Sequence, residues 1–178
     1  MTNVPKFEEW VRSLEATRAA GDLPGQIEAL TRMGALTSQC GDFPDALNFL
    51  HEAESLCAGA DHWSALSAIY GQIAIACAMS GNTEAGTRYS SLSVEAAQKS
   101  GIPRELAYAK NSLGCDCSDA GDFEAALELF ARAIEHAEAE PERAWRTHFR
   151  AGTYTDTAQA MLRAGPLASP TPRSPTSS

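Results

Sequence analysis

The chain has 178 residues, 44% of them hydrophobic, with a formal charge of −9 and a pI near 4.9. It is of single-domain size with apolar material for a continuous core, and its acidic balance leaves no basic field for phosphates, which excludes nucleic acid and anionic membranes as expected partners and favours a basic protein surface. No apolar run approaches the ~18 residues of a membrane span, residues 1–10 lack the basic-then-apolar order of a signal peptide, and five cysteines without framework spacing fit reduced thiols; the expected setting is cytoplasmic.

Residues 4–20 place Val4, Phe7, Trp10, Val11 and Leu14 at three- and four-residue steps with charged side chains between them. This predicts an amphipathic helix capping the N-terminal end. Gly21-Asp22-Leu23-Pro24 then supplies a stop and a proline for the next helix start. In that helix Ile27, Leu30, Met33 and Thr37 form the inner face, and Gly34 permits close approach of a partner helix. Gly41-Asp42-Phe43-Pro44 ends it, and Ala46, Leu47, Leu50, Ala53 and Leu56 make the second helix of a hairpin. Asp61-His62 lies in the following turn, where the carboxylate is expected to cap a helix. The pattern returns with Leu66, Ile69, Tyr70, Ile73 and Cys77, then Tyr89, Leu92 and Ala96. It returns again with Leu106, Ala109, Leu113 and Cys117, then Ala126, Leu127, Phe130, Ala133 and Ile134.

The turns carry a period. Gly41, Gly81 and Gly121 are spaced by 40 and followed by Asp42, Asn82 and Asp122. Half a period out of phase lie Gly21-Asp22, Asp61 and Gly101, with Pro24, Pro103 and Pro141 opening the next helical stretches. Two interleaved rows of turns mean a repeated helical hairpin, and a period in this range marks a solenoid whose hairpins bury their apolar faces on one another. Beyond Pro141 the pattern degrades into one final capping helix over 142–164 with two alignments. If Pro141 matches Pro103, Gly152 matches Gly114 and Gln159 replaces the turn glycine; if the turn is Gly165, the helix is longer by about one turn. Residues 165–178, rich in proline, serine and threonine, are expected to be a disordered tail containing Ser-Pro and Thr-Pro steps, with the character of a linker.

These residues resemble the tetratricopeptide repeat. Leu113-Gly114, Gly121, Ala126, Phe130 and Ala133 match its pattern in the third hairpin, and Gly34, Gly41, Ala46, Leu50 and Ala53 match it in the first. The second hairpin departs, with Ala74 for the packing glycine and Gly86 and Ser90 where alanine and an aromatic residue belong, so looser packing is expected there. The resemblance implies an all-α, right-handed solenoid of three hairpins over 22–141, capped by helices at 1–21 and 142–164. The period is longer than the usual 34 residues of the family. In that respect the chain is similar to the repeats of spindle-orientation adaptors and to the sensor arms of bacterial transcriptional regulators.

The resemblance also implies a binding surface, because the first helix of each hairpin lines the concave face in this family. Here that face carries Glu28, Thr31, Ala35, Ser38 and Gln39, then Ala68, Gly71, Ile75 and Met79, then Tyr108, Asn111, Cys115, Ser118 and Asp119. An extended peptide leaves backbone donors and acceptors to be satisfied, and an asparagine offers both, which makes Asn111 the leading candidate, with Tyr108 one turn before it. The opposing reading is a solvated asparagine and a packing tyrosine. The subclass that grips a terminal carboxylate needs basic residues where this chain has Thr31, Ala35, Tyr108 and Ser112, so that activity is not expected.

No metal, cofactor or catalysis is expected. Cys115 and Cys117, two apart on a helix, point about 200° from one another and read as core thiols. His51, His136 and His148 are isolated, and the phosphate-loop, zinc-protease and serine-hydrolase motifs are absent. The glutamates at 124, 128, 135, 138, 140 and 142 read as a solvated face. The expected function is a scaffold or adaptor that binds a peptide or helix of another protein. The alternative is a sensor arm that binds a signal molecule and controls an effector. Weak self-association through Trp10 or Trp145 is a third possibility.

Overall fold

The computed structural model describes residues 4–59 and 61–165, in which all regular structure is helical. The expected tail lies, from residue 166 onward, outside the described residues. The helices are α1 (Val4–Ala20), α2 (Leu23–Gln39), α3 (Phe43–Leu56), α4 (Trp63–Met79), α5 (Thr83–Ser100), α6 (Pro103–Asp119), α7 (Phe123–Glu138) and α8 (Arg143–Ala164). Helices α2, α4, α6 and α8 start at 23, 63, 103 and 143, whereas α3, α5 and α7 start at 43, 83 and 123 with α1 in step before them. We call the first set A-type and the second B-type. The described residues open on a B-type helix and close on an A-type one.

The repeat period is built by one turn chemistry. Gly41, Gly81 and Gly121 adopt φ of +84°, +88° and +86°, the left-handed region that ends a helix at low cost for glycine. The next residue reverses the chain: the side chains of Asp42, Asn82 and Asp122 accept from the amides of Asp45, Ala85 and Ala125 at 3.4, 3.2 and 3.1 Å. Between hairpins the caps are weaker. His62 occupies the cap of α4 with no side-chain bond, so Asp61 does not play the part expected of it. Pro141 also lies outside α8, whose cap is Glu142.

A-type helices approach one another closely along the array, α2 to α4, α4 to α6 and α6 to α8, while B-type helices meet one another through long side chains, Arg18 with Glu52, Phe7 with Phe49 and His51 with Tyr89. Closer backbone approach on one side curves the array and places the A-type helices inside it, giving an all-α solenoid. Leu14, Leu30, Leu50, Ile69 and Ile73 anchor a core shared by the first five helices, and alanine-rich clusters around Phe130 and Phe149 continue it.

Within hairpins the close approach is made by small residues. A Cβ at Gly34 would lie 2.6 Å from Cγ of Leu50, and one at Gly114 would lie 2.7 Å from the Phe130 ring. The second hairpin is not looser. Its small residue has moved to the B-type helix, where Gly86 leaves space for only a tight contact with the Ala74 carbonyl, 3.3 Å from an ideal Cβ. Ser90 and Ser93 are buried, and Ser93 Oγ donates to the Ser67 carbonyl at 2.8 Å.

Helix α8 runs to Ala164 and ends at Gly165 with φ +71°, so the longer of the two alignments describes it. With its start 40 residues after Pro103, Tyr154 rather than Gly152 stands where Gly114 does. Tyr154 lies under the Arg150 guanidinium, 5.8 Å from its ring centre, and this pair fills the side on which a B-type partner would pack. The opposite side, with Phe149, Thr153 and Ala160, is buried against the third hairpin.

Candidate functional site

The N-terminal halves of α2, α4 and α6 enclose a groove of about 760 Å³ on the inner face of the curve. Its floor is α4, where Ala65, Ala68, Gly71, Gln72 and Ile75 follow one helical stripe. One wall is α2, with Glu28, Thr31 and Ala35, and the other is α6, with Glu105, Tyr108 and Ser112. Tyr108 and Ile75 are exposed to 52% and 41%, apolar surface held open to solvent by a rigid frame.

The polar groups of the groove are mostly engaged with each other. Thr31 Oγ1 donates to the Ile27 carbonyl at 2.7 Å, and Arg32 lies 3.8 Å from Glu28. Glu105 accepts from the hydroxyls of Ser64 and Ser100. That last network ties the start of α4 and the end of α5 to the first turn of α6 and fixes the carboxylate at the groove edge.

Of the residues assigned to the surface from the sequence, Glu28, Thr31, Ala35, Ala68, Gly71, Ile75 and Tyr108 line this groove, and Ser38 is buried in α2. Met79 is exposed one turn beyond it on α4, and Gln39 is exposed at the end of α2. Of the remaining four, three are claimed by α8. Asn111 Nδ2 donates to Asp156 Oδ2 on α8 at 3.0 Å, and its Oδ1 is buried without a partner. Asp119 pairs with Arg163 of α8 and borders a separate recess of about 230 Å³ with Glu84 and Asp116. Ser118 is buried. Cys115 is half-buried between Asn111 and Asp156; burial, reinforced by the charges of Asp156, Asp116 and Asp119, pushes its thiol up to about 12. It is a poor nucleophile. The stripe Tyr108-Asn111-Cys115-Asp119 is therefore the seat of α8, and the leading candidate of the sequence, Asn111, is spent on that contact.

Tyr108 serves both surfaces. Its hydroxyl accepts from Trp145 Nε1 at 3.0 Å, and its ring meets Trp145 and Phe149 edge-on at 5.5 and 5.2 Å between centres. Arg104 covers the far side of Trp145 at 4.8 Å while bridging Glu140 and Glu142. Trp145 is thus committed inward, as is Trp10, which packs on the first core. The large apolar side chains exposed on α8 are Tyr154, Met161 and Leu162. Among the cysteines, Cys57 and Cys77 are buried as expected of core thiols, and Cys40 is exposed.

No family model and no curated protein matches the sequence. Among solved structures the chain is similar to BtubC (BKLC) from P. vanneervenii, with a TM-score of 0.72 and 20% identity over 92% of this chain and 70% of that one. At that identity the likeness concerns the fold alone.

Proposed function

We propose that the protein is a non-catalytic adaptor of the tetratricopeptide type, which binds a segment of another protein in the groove over α4. The observation that carries this reading is the groove itself: Ile75 and Tyr108 hold apolar surface open to water on a preformed inner face, and such patches mark interaction sites. A chain of charge −9 favours a partner with a basic surface. Unpaired cysteines throughout the described residues fit a reducing, cytoplasmic setting.

The test introduces charge where the groove is apolar without disturbing packing. Ala68 and Ile75 are both exposed on α4, so Ala68→Glu with Ile75→Glu should fold normally. A protein captured from the source lysate by the natural chain and lost from the variant supports the adaptor. Equal capture by both would rule the groove out.

A second reading is a sensor arm for a small signal molecule, favoured by a groove volume within the roughly 300–1,000 Å³ of small-ligand pockets. A rise in melting temperature with a low-molecular-weight extract, abolished in the same variant, would place this reading first.

A further inference from the structure

We infer that the occupant of the groove is a single α-helix of a partner protein, laid along α4 and presenting a lysine or arginine to Glu105. This rests on the groove being the binding site, as proposed above. Four observations lead to it.

An extended segment must find partners for its backbone amides and carbonyls, whereas a helix satisfies its own. The groove has little to offer an extended chain. Its floor is alanine, glycine and isoleucine with the single amide of Gln72, the Ser67 and Ser93 hydroxyls face each other, and the Asn111 amide is turned away to Asp156. The shape agrees. With α2 and α6 flanking α4 on the inside of the curve, and helices packing side by side at about 8–10 Å, the row leaves a dip over α4 into which one further helix nests.

Gly71 supplies the third observation. Glycine in mid-helix weakens the helix, and at Gly34 and Gly114 the tight packing explains it. At Gly71 a Cβ would meet only Ser93 Oγ at 3.6 Å, an ordinary contact, so the fold itself does not call for glycine there. What the missing Cβ leaves is a low floor facing the groove, where a partner backbone can come close.

The fourth is charge. Glu105 is oriented by two hydroxyl donors, Ser64 and Ser100, and forms no ion pair among the described residues. A preorganised carboxylate without a counter-cation at the edge of an apolar groove is complementary to a basic side chain flanking an apolar helix face.

The test is a selection of randomised 16-residue peptides on the immobilised natural chain, followed by affinity measurements on Gly71→Leu, Glu105→Gln and, as a surface control on α7, Glu124→Gln. Circular dichroism of each variant checks that it folds. The expected peptides carry lysine or arginine, become helical on binding, lose at least tenfold in affinity with Gly71→Leu and several-fold with Glu105→Gln, and ignore Glu124→Gln. Peptides with an internal proline that bind the natural chain and are lost with Gly71→Leu would keep the groove and overturn the helix. Unchanged affinity with Glu105→Gln would overturn the basic contact. Peptides indifferent to Gly71→Leu, or no selected peptide at all, would overturn the groove reading together with the inference.

Discussion

At the scale of single residues, the glycines of the A-type helices have opposite roles because they stand at different positions of the repeat. Gly114→Ala drives a methyl into Phe130, a fully buried ring with no room to swing, and is expected to cost about 1–3 kcal/mol. Gly71→Ala removes a weak helix former at an open position and is expected to stabilise by about 1 kcal/mol. Urea denaturation of the two variants measures both signs at once. Asp116 adds a pH dependence. Burial raises its carboxyl above the usual range against the opposing hydrogen bond from Ser90, the charge of Asp119 adds to the rise, and Oδ2 is buried without a partner. With the folded pKa above the unfolded one, the folded state holds more protons between the two. The contribution of Asp116 is therefore most favourable below the unfolded value and declines as pH rises through the folded one. Asp116→Asn, which keeps an acceptor for Ser90, is expected to raise the melting temperature at about pH 7 and to change it little at about pH 4. A drop at neutral pH would show that the ionised carboxylate is stabilising.

At the scale of elements, α8 shows how a repeat array is closed. Phe149 enters a pocket of Ala107, Ala133 and Ala137, which carries most of the burial, while Asn111-Asp156, Asp119-Arg163 and Arg150-Glu138 decorate the edges. The exposed ion pairs contribute little each, since long side chains lose entropy and solvent screens them. Phe149→Ala is expected to cost about 3 kcal/mol, and replacing any one of the ion-pair partners less than about 1 kcal/mol. The same helix keeps Asn111 and Cys115 from the groove, so its docking decides where the inner surface ends.

At the scale of the whole molecule, a stack in which each element touches only near neighbours responds locally to damage. In Phe149→Ala, amide exchange should quicken across α6, α7 and α8 and stay protected in α2 and α3, where the core around Leu30 and Leu50 is independent of the change. Uniform loss of protection would mean that the molecule unfolds as one unit. The ends of the stack are unlike each other, a B-type helix at one and an A-type at the other, and together they have the parts of one more hairpin. At the α8 end Tyr154, beneath Arg150, stands at the repeat position where Gly34 and Gly114 admit a B-type partner.

The period, the turns and the all-helical class were legible in the sequence because each is local. A glycine followed by Asp or Asn ends one helix and caps the next within four residues, and repetition every 40 residues makes that signal additive. The inner face of each A-type helix was legible as well, since helical spacing defines it. What the spacing does not contain is the course of the following helix. Whether Asn111, Cys115 and Asp119 face solvent or α8 depends on where α8 lies, and its own repeat pattern is blurred by Tyr154 and by the weak cap at Glu142. The repeat register already separates Gly34 and Gly114, which share the position held by Ala74 in the second hairpin, from Gly71, which shares that of Thr31 and Asn111 on the inner face. Only the tertiary structure shows how much space each has, tight against Leu50 and Phe130 at the first two and open at Gly71, because those neighbours and Ser93 come from another helix.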